Sequence, residues 1–213
     1  ATTWLPYEKV QFLKVLEDVF ERTYNSGKFF YTLRYLERFY ADNIFRLYEA
    51  MTQSWLKAGN DRIAVADKAL CYFLWDFICH DARVPAPAHR VLKELLSLDM
   101  MITFRFRLLP DFLGWQEAPR KDTDRLFREE ERLRPYIGNY RFTNWRDIKM
   151  RYRIWPVCDR TKEALSCYRH APAGHAWIIA FKDDEGISWQ IMAAAPPEWE
   201  QTGDIRKDCH GTI

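Results

Sequence analysis

Through the first hundred positions, apolar residues recur every three to four places, the period of helices that bury one face. Phe12, Leu13, Leu16, Val19, Phe20 and Tyr24 form one such row, and Lys9, Lys14, Glu17, Glu21 and Arg22 occupy the other side. The spacing predicts an amphipathic surface helix over 7–24. Pro6 suits its opening turn, and Asn25-Ser26-Gly27 suits its end. A second helical stretch is predicted over 28–57 with two stripes. Phe30, Leu33, Leu36, Tyr40, Ile44, Leu47, Met51 and Trp55 make the first, and Tyr31, Tyr35 and Phe39 the second. Two stripes imply contact on two sides, hence a central place in a bundle, with a break expected near Asp42-Asn43. A third helix follows, with Asp61 as its expected cap and Val65, Ala69, Leu70, Phe73, Leu74, Phe77 and Ile78 on its apolar side. Pro85 and Pro87 then force a turn before a short fourth helix over 88–98.

After residue 100 the period changes. Thr103 to Leu108 alternates strictly, with Phe104, Phe106 and Leu108 on one side and Thr103, Arg105 and Arg107 on the other, which predicts a strand. Residues 110–119 read as a loop, and 122–134 as a solvated helix that Pro135 ends. Two short aromatic strands are expected over 140–146 and 149–155, then a brief helix over 159–168 capped by Asp159. Ala176 to Lys182 and Ile187 to Met192 flank the acidic, glycine-ended loop Asp183-Asp184-Glu185-Gly186 and predict a β-hairpin. The pattern as a whole is α+β. An N-terminal helical bundle over 1–100 is followed by a small, mostly antiparallel β-sheet with short helices over 101–213, and the two parts are expected to share one core.

Composition sharpens this picture in three places. Hydrophobic residues at 48% exclude a disordered chain, and aromatics at 16% must be mostly buried. The five cysteines lack the regular spacing of a disulfide framework. With no run of about 18 apolar residues and no basic, apolar leader at the start, the expectation is a cytoplasmic chain without membrane insertion. The net charge of +2 conceals an asymmetry: residues 140–170 hold eight Lys and Arg against three acids, and residues 171–213 hold three against seven.

The basic stretch is the strongest chemical candidate. Arg141, Arg146, Lys149, Arg151 and Arg153 alternate with Trp145, Tyr152 and other rings, and cations beside flat faces are what single-stranded nucleic acid requires. The same residues also suit a strand with one solvent face, where arginine stems cover apolar surface. Cys158, Cys167, His170 and His175 offer four ligand types in a C-x8-C-x2-H-x4-H run, but without the tight knuckle of structural zinc. Cys167 and His170 stand at i and i+3, as a thiol and its base would, though no third orienting group follows. Arg83/His89 and Arg169/His175 are interrupted by prolines, and the 183–185 acids fit a turn better than a metal site. No glycine-rich phosphate loop and no serine-hydrolase or zinc-protease signature occurs. The expected function is therefore a non-enzymatic binding or regulatory role through contact with another protein, with no cofactor or metal. Tyr31, Tyr35 and Phe39, together with the sheet residues, are its candidate contacts. Nucleic-acid binding stands second and a Cys/His enzyme third.

Overall fold

Residues 6–60, 65–105, 109–114, 130–137, 140–141, 144–174 and 176–193 are described by the computed structural model. The chain divides into two units, residues 1–103 and 104–213. Among the described residues no helix is long and apolar enough to cross a membrane.

In the first unit α1 spans Tyr7–Phe20 and runs into a π-helical turn, Glu21–Asn25. Gly27, at φ +70°, adopts the left-handed conformation that ends the segment. The predicted break in the second stretch is present: α2 (Phe30–Leu36) and a 3-10 turn (Glu37–Tyr40) precede α3 (Ile44–Lys57). Ala41 and Asp42 both take positive φ at the corner, and the Asn43 side chain then caps α3 by accepting from the N–H of Phe45 and Arg46. Helix α4 covers Asp67–His80 with Ala66 at its cap position, so it starts later than an Asp61 cap implies, and 61–64 lie outside the described residues.

Helix α5, Ala86–Phe104, departs furthest from the sequence reading. Leu95 through Met101 are all buried, so this part of the helix is enclosed on every side, while α3 packs against both α1 and α4 as its two stripes imply. It carries Thr103 and Phe104 as its last residues, and Arg105 at φ +49° follows. The strand expected over 103–108 is thus helical at its start, and 106–108 lie outside the described residues. A six-residue alternation was weaker than the burial drive of the helix running into it. Among the described residues of this unit, Asp99 is the buried acidic side chain. Asp99, from α5, accepts hydrogen bonds from the N–H of Tyr31 (3.1 Å) and Thr32 (2.9 Å) and from the Thr32 hydroxyl (2.7 Å). It thereby caps α2, whose own N-cap residue is Phe29 and has no side-chain bond to give. Burial outweighs those three bonds and pushes the carboxyl up to about 7.

The second unit contains α6 (Glu130–Ile137), α7 (Trp145–Lys149), β1 (Tyr152–Val157), α8 (Asp159–Leu165), β2 (Ala176–Lys182) and β3 (Ile187–Ala193). Pro135 lies inside α6 instead of ending it, and its carbonyl accepts from Gln190 Nε2. The strand expected over 140–146 is replaced at 144 by a capping box: Asn144 accepts from the Arg146 N–H, and Asp147 accepts from the Asn144 N–H. Helix α8 has Cys158, not Asp159, at its cap position.

The strands form an antiparallel sheet in the order β1-β2-β3, with Ile154 opposite Ile179 and Ile178 opposite Ile191. The hairpin turn lies where expected. Asp183 accepts from the N–H of Glu185 and Gly186, and its own N–H donates to the Gly186 carbonyl. Tyr152, Ile154, Trp177, Ile179, Phe181 and Met192 pack with Leu133, Ile137 and Ile148 in one core cluster. The alternate residues, among them Trp155, Ile178, Ala180, Trp189 and Ile191, are buried too, so the sheet has no apolar face left open.

Candidate interaction surface

The structure disperses the basic-aromatic candidates. Tyr152, only 8% exposed, faces the core cluster, and Trp155 is buried. The Arg151 guanidinium lies 5.0 Å from the centroid of the Tyr140 ring and 3.2 Å from the Asp184 carboxylate, while Phe181 meets Tyr140 edge-on. Basic segment and acidic loop therefore meet within the unit, as the charge asymmetry allowed. Arg153, half-buried, donates to the Tyr152 carbonyl at 2.7 Å. Arg141 and Arg146 are exposed, whereas Trp145 and Lys149 open and close α7 with side chains outside the described residues.

Cys158 Sγ is 3.2 Å from the Thr161 hydroxyl, and the exposed Cys167 thiol donates to the Ala164 carbonyl. His170 is exposed, and His175 lies outside the described residues. Among the described residues no group of three His, Cys, Asp or Glu is placed to hold a metal ion. In the helical unit, burial and then the Asp99 charge push the Cys71 thiol up to about 12. The Cys79 thiol is raised by burial and by Asp76, against the opposing pull of Lys93. Both shifts run away from the lowered values of nucleophilic thiols.

The loop after α4 is a structural clasp. Arg83 donates twice to the Asp81 carboxylate, at 2.9 Å each, and its guanidinium lies 4.7 Å from the centroid of the Tyr40 ring. Burial works to raise the Asp81 carboxyl, but the bonds from the Arg83 side chain and backbone leave it lowered. These are the arrangements of a fixed turn, with no reacting atom to serve.

The remaining candidates are rings of the helical unit. Tyr31, Tyr35 and Phe39 are half-buried. Tyr35 meets Phe39 edge-on at 5.8 Å and lies under the Arg38 guanidinium, and Tyr31 packs against the edge of the exposed Phe30. The more open surface is on α1, whose apolar row the sequence assigned to a surface helix and not to a contact site. Of eight apolar residues among its fourteen (Tyr7, Val10, Phe12, Leu13, Val15, Leu16, Val19 and Phe20), only Val19 is buried. Helix α3, of equal length, buries six residues. The two helices pack through Phe20 and Thr23 on Tyr48: the rings are 4.7 Å apart and the hydroxyls 2.7 Å apart. Phe12, Leu16 and Val19 occupy one line of α1, and Leu13, Phe20 and Tyr24 the neighbouring line, at i, i+7 and i+11. On that second line Leu13 is 45% and Tyr24 42% exposed, with Tyr24 stacked on Phe20 at 4.8 Å. Tyr7 is 65% exposed at the other end. The signal was present in the sequence: this apolar arc is wider than the roughly 100° that one packed neighbour covers.

Comparison with known proteins adds one finding. A family model described as "Protein of unknown function (DUF4080)" matches residues 1–162. The matched stretch takes in the whole helical unit and reaches past β1 into α8. No curated protein and no solved structure matches the chain.

Proposed function

The chain belongs to the DUF4080 family, with α1 inside the matched stretch, and we propose that it is a non-enzymatic binding protein that docks another macromolecule on the open face of α1. The observation that carries this reading is the single buried residue among the eight apolar side chains of that helix. Fully burying a side chain such as Leu13 yields about 1.5–3 kcal/mol, and α1 leaves much of that gain unrealised within its own unit. Exposed apolar lines of this kind, with a tyrosine such as Tyr24 at one end, suit a protein partner.

A protein partner is favoured over nucleic acid by the state of the cationic residues. Arg151 is occupied by Asp184 and Tyr140, and the Tyr152 and Trp155 rings that would stack on bases are buried. Cys71 and Cys79 are poor thiol nucleophiles, because burial and nearby acids raise their pKa and keep them protonated.

The test is capture with immobilised chain from extract of its source cell, comparing wild type with Leu13→Glu/Tyr24→Ser. A protein retained by wild type and lost by the variant, with melting temperature unchanged, supports the docking face. A protein retained equally by both overturns it. So does salt-sensitive retention of RNA or DNA that Arg141→Glu/Arg146→Glu abolishes.

A further inference from the structure

We infer that the occupant of the α1 face is a second copy of the chain, its α1 lying antiparallel to the first across a two-fold axis beside residues 15 and 16. This rests on the docking reading above and names its partner.

The charges along the open face carry the inference. Lys14, Glu17 and Glu21 follow at i, i+3 and i+7, so they line one edge of the Leu13, Phe20 and Tyr24 row, and all three are exposed. The base comes first and the acids follow. Neither Lys14 nor Glu17 makes an ion pair among the described residues; Asp18, which lies within reach of Lys14 at i+4, is taken instead by Arg22 at 2.8 Å. Parallel pairing would set like charges level with each other. Antiparallel pairing about residues 15 and 16 sets Lys14 level with Glu17 of the second copy, and two-fold symmetry repeats the pair. In the same register both Leu13 side chains flank the axis. A face that complements itself in both charge and apolar content is what an isologous interface requires.

One helix from each copy makes a small interface, so the association is concentration-dependent and on the order of micromolar. Sedimentation equilibrium of the full chain from about 1 µM to about 300 µM tests it. The expected result is a weight-average mass that rises from one chain toward two, and Leu13→Asp holds it at one. Lys14→Glu alone and Glu17→Lys alone each weaken association about tenfold or more, because each sets like charges level across the axis. The doubly exchanged Lys14→Glu/Glu17→Lys chain recovers it, because every cross-axis pair again has opposite signs. Melting temperatures of the dilute variants confirm that the fold is intact. A mass of one chain throughout overturns the self-pairing, as does a dimer indifferent to Leu13→Asp or to the single exchanges. If such a monomeric chain still captures another protein through the Leu13 line, the docking face stands and only its occupant was misassigned. If it captures none, both inferences fail.

Discussion

In β2, six consecutive residues from Ala176 to Phe181 are buried; in α1, fourteen residues long, Val19 alone is. Both segments are rich in apolar side chains, yet both faces of the sheet are buried, whereas α1 leaves Tyr7 and Leu13 exposed. A continuous apolar run can be enclosed only if material packs on both sides of it. Helix α1 and the turn after it meet α3 at Phe20 and Thr23, and an apolar arc that spans two lines is wider than one packed helix covers. Hydrophobic content therefore says how much surface must be covered. It does not say whether the cover comes from the same chain.

The widest separation between the two regions should appear in truncations. Ile179→Ala removes a side chain that is 1% exposed in the core cluster, with an expected cost of about 2–5 kcal/mol in urea denaturation followed by circular dichroism. Leu13→Ala, measured in dilute solution, should cost no more than about 0.5 kcal/mol. Equal costs would mean that α1 is packed after all, and the contrast would disappear.

Next in size is the one carboxylate enclosed among the helices. The Asp99 carboxyl sits at about 7 in the folded chain against 3.8 when unperturbed. Between those values the folded chain holds a proton that the unfolded chain has released. Stability therefore falls as pH rises from about 4 to about 7, by at most about 4 kcal/mol. Asp99→Asn should lower stability at acidic pH, because an amide cannot accept all three bonds, and it should remove this slope. A slope unchanged in the variant would show that another group titrates there.

Two smaller effects sharpen the picture at the surface of the second unit. Asn144→Ala, which opens the capping box of α7, should cost about 1 kcal/mol. Asp184→Asn, which breaks the pair between Arg151 and an aspartate that is 86% exposed, should change stability by less than about 0.5 kcal/mol. It should also leave Arg151 over Tyr140, visible as an unchanged tyrosine ring shift in NMR spectra. A larger loss would mean that Asp184, more than the ring, positions that guanidinium.

Local chemistry alone determined several features of this protein. The three-to-four spacing specified helices over most of the first hundred residues. The Asp42-Asn43 corner marked the break before α3, and an acidic turn ending in Gly186 between two apolar runs specified the β2–β3 hairpin. Each depends on neighbours within a few positions, where backbone preference and side-chain period act directly. The tertiary structure decided the rest. It made Thr103 and Phe104 the end of a buried helix despite their alternation, and turned the first aromatic strand, expected over 140–146, into a capped helix from Asn144. It turned Tyr152 inward, paired Arg151 with Asp184, and left the Leu13 line of α1 uncovered. The physical reason is that a side chain's row on its own helix or strand is a local property. Whether anything packs against that row depends on segments distant in sequence, and periodicity carries no record of them.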